Sequence, residues 1–159
     1  MKTRKMTLLA LFVAMSFVLS TILVFPNMAP AQHMMNVIGA VLLGPWYNAL
    51  AAFLSGGLRM LLSGRTFIAT SGWVGALLAG FVYKRTKNYL LTTLAEIFGS
   101  GILSAVIYYF PMEFILGLDL PHAFYYIPFF LPSAILGAIA GYFAVKVLSR
   151  WSVFRIDQS

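Results

Sequence analysis

"QHMMNVIGAVLLGPWYNALAAFLSGGLR", residues 32–59, decides how many helices this chain contains. The apolar run that includes it, from about residue 33 to residue 63, is long for one helix across a bilayer and short for two. Gly44 and Pro45 stand in its middle, and proline disrupts the preceding helical turn and biases the residue before it away from helix. The pair therefore predicts a turn between two helices.

The composition of the whole chain is that of a membrane protein. Of 159 residues, 61% are hydrophobic and 9% are charged, whereas an ordinary soluble domain is about 25% charged. So few charges cannot cover a water-exposed surface. The formal net charge is +7, but the Lys and Arg residues mostly flank apolar runs, where they set orientation in a membrane more often than they bind nucleic acid. We therefore predict an all-α integral membrane protein that does not bind nucleic acid.

The sequence contains no pattern typical of a metal site or a nucleotide-binding loop. Because the chain has no cysteine, it has no disulfide, zinc thiolate site or iron–sulfur cluster. Two histidines without a carboxylate at ligand spacing make a poor metal site. No glycine-rich phosphate loop with lysine is present, so the chain is not expected to hydrolyse a nucleotide itself. We predict no metal and no cofactor.

Six transmembrane helices are predicted in a single domain over residues 1–159. The first could instead be a signal peptide, because "APA" at 29–31 resembles a cleavage site, but its apolar run exceeds the usual length. The predicted spans are 6–25, 33–44, 46–63, 67–83, 89–110 and 123–148.

The distribution of positive charge distinguishes five spans from six. If residues 33–63 cross once, five Lys and Arg residues lie on one side and six on the other, which is no bias. If they cross twice, nine lie on the inner side and only Arg59 and Arg65 on the outer side. We therefore favour six spans, with both termini in the cytoplasm and the Gly44-Pro45 turn at the inner surface. The first helix of the pair is short, which predicts a tilt or a thin surrounding bilayer.

Polar side chains gather near the outer ends of the predicted helices. His33 and Asn36 share a helix face, Arg59 ends a stripe of small and polar residues, and His122 and Tyr126 are one turn apart. A cavity that opens outward is therefore predicted. Its candidate substrate-binding residues are His33, Asn36, Arg59, Trp73, Tyr108, Glu113, His122 and Tyr126. Structural alternatives stay open: interfacial belts for the aromatic residues, and snorkelling or pairing with Glu113 and Asp119 for Arg59 and Arg65.

Glu96 is a separate case within the fifth predicted span, toward its cytoplasmic side. A carboxylate inside a membrane is costly, so it needs a partner or a task. We expect its side chain to extend toward Lys84 or Lys87, and a role in proton or ion coupling is the alternative.

Catalysis is not expected. The sequence "FGSG" at 98–101 resembles the serine motif of rhomboid intramembrane proteases, and His122 is the conceivable base. The predicted topology separates Ser100 from His122 beyond the reach of a hydrogen bond, which such chemistry requires. We therefore predict that the chain is not an enzyme, with an intramembrane hydrolase as the minor alternative.

A family resemblance is densest over residues 30–86. "HMMNVIGAVLLGPWYNALAAFLSGGLRMLLSGRT" followed by "GALLAGFVYKR" resembles the ThiW family. The six-helix pattern of the whole chain is similar to the S components of energy-coupling-factor (ECF) importers. This resemblance implies a substrate-binding subunit in the plasma membrane of a prokaryote, docked on a membrane scaffold subunit that two cytoplasmic ATPases drive.

The same resemblance implies a cargo and a docking patch. The cargo is hydroxyethylthiazole, the thiazole precursor of thiamine, whose flat ring suits Trp73 or a tyrosine face. Thiamine itself, its pyrimidine half or another vitamin are the alternatives. The segment "TFIATSGWVGALL" departs from the more glycine- and proline-punctuated pattern of the family, which leaves the role of Trp73 open. Docking implies small residues one turn apart on the first helix, and Ala10 and Ala14 match that spacing.

Overall fold

The described part of the chain is all-helical, as predicted, in a computed structural model that describes residues 2–23 and 29–151. A short 3-10 segment, Phe67–Thr70, precedes the fourth helix. Residues 24 and 25, which end the first predicted span, lie outside the described residues. The helices are α1 Lys2–Ile22, α2 Pro30–Leu42, α3 Gly44–Ser63, α4 Trp73–Thr86, α5 Tyr89–Ile115 and α6 Ile127–Leu148.

The turn between α2 and α3 lies at Gly44, as the sequence predicts. Gly44 has a φ of 74°, a left-handed conformation that glycine adopts without steric cost. Pro45 lies in the first turn of α3, where its missing N–H would have had no helical partner. At the end of α2, the Leu43 N–H donates to the carbonyl of Gly39 at 2.8 Å. The Gly-Pro pair therefore ends one helix and begins the next.

Four stretches are long and apolar enough to cross a membrane: Thr3–Ile22, Phe67–Thr86, Tyr89–Ile115 and Ile127–Leu148. The two helices of the hairpin differ from them. With 13 residues, α2 is about 20 Å long at 1.5 Å per residue, which is shorter than a hydrocarbon core of about 30 Å. α3 is longer but buries Asn48 and Arg59. Crossing by α2 and α3 therefore stays a prediction.

α5 is longer than predicted and contains two π-helical segments, Gly99–Leu103 and Pro111–Ile115. The sequence predicts an end at residue 110, directly before Pro111. Instead, the Leu116 N–H donates to the carbonyl of Pro111 at 3.1 Å, so the wider π turn carries the helix past the proline. This extension brings the end of α5 to the same end of the bundle as the start of α2.

α2 lies at the centre of the described bundle and packs against all five other helices. Glycines allow its closest contact, which is with α6. A Cβ on Gly137 would collide with the carbonyl oxygen of Pro30, and one on Gly141 would lie 2.8 Å from the Cβ of Val37. Because α2 is short as well as central, its N-terminal turn lies at the base of a space that longer helices surround.

Candidate functional site

A cavity of about 600 Å³ lies at one end of the bundle. Its wall is formed by the start of α2, the end of α3, the 3-10 segment, the start of α6 and the connection between α5 and α6. This volume is typical of small-molecule sites. Polar lining residues are Gln32, His33, Arg59, Arg65, Thr66, Ser71, Asp119 and Ser133.

One wall of the cavity is aromatic. Tyr125, Tyr126, Phe129 and Phe130 all line it, where the chain enters α6. The ring centroids of Tyr125 and Tyr126 are 5.2 Å apart, and those of Tyr126 and Phe130 are 5.7 Å apart. Tyr125 and Tyr126 directly precede α6, and Phe129 and Phe130 lie in its first turn, so the wall is built at the start of this helix. It offers flat apolar surface to a ring-shaped ligand.

Arg59 is a buried cation at the cavity, 4% exposed and supplied by the last turns of α3. Its Nη1 donates to Gln32 Oε1 at 2.8 Å, and Gln32 Nε2 donates to the carbonyl of Ala69 at 3.4 Å. Within residues 2–23 and 29–151, no carboxylate lies at ion-pair distance from Arg59. Neither snorkelling nor pairing with Glu113 or Asp119 therefore describes Arg59.

Glu96 is fully buried on α5, and three side chains surround its Oε1. His33 Nδ1 lies 3.0 Å away, Asn36 Nδ2 donates at 2.9 Å, and Ser100 Oγ donates at 2.7 Å. The expectation that Glu96 extends toward Lys84 or Lys87 is wrong, because the carboxylate points to α2. Helix spacing alone gave no sign that the start of α2 faces this turn of α5.

Two glycines make room for this buried cluster. A Cβ on Gly75 of α4 would lie 2.7 Å from Glu96 Oε2, and one on Gly72 would collide with Gln32. Asn36 Nδ2 also donates to the carbonyl of Gly72 at 3.0 Å. The cluster therefore joins α2, α4 and α5 directly beneath the cavity, and His33 is its member that also lines the cavity.

A family model described as "Thiamine-precursor transporter protein (ThiW)" matches residues 6–151. The chain belongs to the ThiW family. No curated protein and no solved structure matches it. As a ThiW protein it is a membrane component of thiamine-precursor transport and has a small-molecule substrate. Every residue that lines the cavity lies within the matched range.

In this ThiW chain, Trp73 and Tyr108 lie behind the cavity wall and do not line it. Trp73 Nε1 donates to the Tyr108 hydroxyl at 3.1 Å, and Thr70 Oγ1 lies 2.7 Å from the same oxygen. The rings of Phe67 and Tyr108 stack with centroids 5.4 Å apart. These contacts hold the 3-10 segment against α5, so the two residues shape the wall through Ile68 and Ala69.

Glu113 and His122 also lie beside the ThiW cavity without lining it. Glu113 Oε2 accepts a hydrogen bond from the Leu120 N–H at 2.8 Å, which fixes the connection between α5 and α6. His122 is exposed on that connection, whereas Ser100 is buried against Glu96. No Ser100–His122 hydrogen bond is formed.

Of the predicted binding residues, the structure brings His33, Arg59 and Tyr126 together around the cavity. Asn36 is buried in the polar cluster beneath them. Phe130 and Met112 also line the cavity, and they were missed because Phe and Met in a membrane helix are typical of lipid contact. The spacing of Tyr126 and Phe130, one turn apart, is the signal that could have identified this wall.

Proposed function

We propose that this ThiW protein is the substrate-binding S component of an ATP-driven ECF importer in a prokaryotic plasma membrane, and that it captures hydroxyethylthiazole. The observation that carries the proposal is a cavity lined by both an aromatic wall and a set of hydrogen-bonding groups. Such a site suits a small neutral heteroaromatic alcohol. Capture makes and breaks no covalent bond.

The charge distribution supports an outward-facing cavity. Arg59 and Arg65 line the cavity, whereas the other positive charges of the described helices occupy helix ends remote from it. Because cytoplasmic flanks are enriched in Lys and Arg, the remote end belongs in the cytoplasm. This orientation supports the predicted cytoplasmic location of both termini and is consistent with six crossings. The remote cations are Arg4, Lys5, Lys84, Arg85, Lys87, Lys146 and Arg150.

The cavity chemistry also suggests how the ligand is held. A thiazole ring is flat and aromatic, and Tyr125, Tyr126 or Phe129 can stack against it. Its ring nitrogen is an acceptor, for which the guanidinium groups of Arg59 and Arg65 are donors. Trp73, the alternative stacking residue, does not line the cavity.

A competition assay on the purified protein tests the cargo. We expect hydroxyethylthiazole to displace a labelled thiazole ligand more effectively than thiamine or the pyrimidine half, because the cavity presents one aromatic wall beside one polar group of residues. The measurement is the concentration of each competitor that halves bound label. Stronger displacement by thiamine or by the pyrimidine would assign the site to that compound instead.

α1 offers the surface through which the scaffold subunit would dock. Ala10 and Ala14 are one turn apart and exposed, and a shallow apolar groove lies along Ala14, Met15 and Val18. Small residues at this spacing let another helix approach closely in lipid. The similar pair Gly137 and Gly141 is used for contact with α2 inside the bundle. Exposure therefore favours the α1 pair for docking.

Ala14→Leu is expected to abolish ATP-driven uptake while ligand binding to the isolated protein is unchanged. The larger side chain would keep the scaffold helix away from α1, but Ala14 is exposed and does not line the cavity. Ala140→Leu, at an exposed position on α6, is the matched control and should retain both activities. Normal uptake by Ala14→Leu contradicts docking at this site, and lost binding would make Ala14 a packing residue.

A further inference from the structure

We propose that Glu96 is a positioning residue for substrate binding. By accepting the Nδ1–H of His33, it fixes the imidazole so that Nε2 faces the cavity as the acceptor for the substrate hydroxyl. This inference rests on the proposed function, in which the cavity binds a heteroaromatic alcohol, and it assigns the orientation of that ligand.

The position of His33 links the buried cluster to the cavity. Its side chain is 11% exposed and lines the cavity, while Nδ1 lies 3.0 Å from Glu96 Oε1. The two ring nitrogens lie on opposite edges of the imidazole, so the contact with Glu96 leaves Nε2 available to the ligand. In a neutral imidazole, one nitrogen carries a proton and donates, and the other accepts. A partner that accepts from Nδ1 places the proton there and leaves Nε2 as the acceptor.

Glu96 is held as an acceptor by its other neighbours. Asn36 Nδ2 donates both to Glu96 Oε1 and to the carbonyl of Gly72, so both contacts require the amide nitrogen at this position. Ser100 Oγ donates to the same carboxylate oxygen. Asn36 is held in turn, because Asn48 Nδ2 donates to its backbone carbonyl at 2.9 Å. A carboxylate oxygen that already accepts these hydrogen bonds can only accept from His33 as well. His33 Nδ1 must therefore be the donor and carry the proton.

The ligand orientation follows from hydrogen-bond complementarity. A hydroxyl can donate to a bare Nε2, whereas the thiazole nitrogen is an acceptor and cannot pair with it. The alcohol therefore lies toward His33 at the start of α2. The ring nitrogen lies toward Arg59 and Arg65, at the end of α3, where donors are available. A ligand without the hydroxyl leaves Nε2 without a donor.

Nitrogen NMR of the histidine ring tests the positioning role without any ligand. The chain has two histidines, and His122 is exposed outside the cavity, so ¹⁵N-histidine labelling of a His122→Ala protein reports on His33 alone. We expect a protonated Nδ1 and a bare Nε2. Glu96→Met should lose this tautomer, while Thr92→Val, a buried change one turn earlier on α5, should retain it. A doubly protonated ring, or an unchanged tautomer in Glu96→Met, overturns the proposal.

Binding measurements test the consequence for the substrate. Glu96→Met should weaken hydroxyethylthiazole binding by roughly three- to tenfold, the size expected for one hydrogen bond. It should leave binding of the ethyl analogue without the hydroxyl unchanged, and it should add nothing in a His33→Ala background. Equal weakening for both ligands, or an additive effect with His33→Ala, contradicts action through His33.

A second variant covers the case in which Glu96→Met fails to fold, and the failure of this inference can be distinguished from failure of the proposed function. If Glu96→Met does not fold, Glu96→Gln retains an acceptor oxygen and should retain the His33 tautomer, and loss of that tautomer overturns the proposal. The spectrum of the His122→Ala protein, in which Glu96 is native, tests the tautomer whether or not the Glu96 variants fold. Failure of the NMR test removes this inference alone, whereas absence of hydroxyethylthiazole binding to the native protein removes the proposed function.

Discussion

Replacing Arg59 by alanine is expected to weaken hydroxyethylthiazole binding by roughly 10- to 100-fold, since a hydrogen bond from a charged donor is worth about 1.5–3 kcal/mol. Arg59 is buried at the cavity and already oriented by Gln32, so little ordering cost opposes its contact with a ligand. Its removal also leaves Gln32 Oε1 without this donor. Gln32 lines the cavity, where water can replace the guanidinium, so the protein should stay folded in detergent.

Titration calorimetry on the purified variant measures this effect. Arg85→Ala is the matched control, because Arg85 is an exposed arginine in the last turn of α4, far from the cavity. It should bind like the native protein. If Arg59→Ala binds as tightly as Arg85→Ala and both remain folded, Arg59 serves the packing of Gln32 and not the ligand.

The backbone of the α2–α3 hairpin could be predicted from local rules. Glycine tolerates positive φ and proline is favoured in the first turn of a helix, so Gly44-Pro45 specifies the turn whatever surrounds it. The end of α5 could not be predicted in the same way. Pro111 normally ends a helix, and a π turn that keeps the helix continuous has no clear sequence signature.

The partner of Glu96 could not be predicted because it depends on which helix faces meet. Sequence spacing places Ser100 one turn from Glu96, and that contact exists. The contacts with His33 and Asn36 join residues about sixty positions apart and require α2 at the centre of the bundle. Because the sequence does not show that α2 is central, the simpler expectation was that Glu96 extends toward Lys84 or Lys87.

The candidate site was predicted better in its polar members than in its apolar ones. A buried arginine or histidine near a helix end in a membrane protein needs an explanation, which directs attention to His33 and Arg59. Phenylalanine in such a helix needs none, so Phe130 gave no signal. Trp73 was predicted at the cavity, but the structure places it behind the wall, where its indole N–H donates to Tyr108.

Cysteine labelling tests most directly whether the cavity faces outward. The chain has no cysteine of its own, so Asp119→Cys at the cavity and Trp46→Cys at the α2–α3 turn each provide one exposed thiol. With a membrane-impermeant maleimide on intact spheroplasts, we expect Asp119→Cys to react and Trp46→Cys to react only after permeabilisation. Labelling of Trp46→Cys but not Asp119→Cys in intact spheroplasts would place the cavity on the cytoplasmic side and contradict capture from outside.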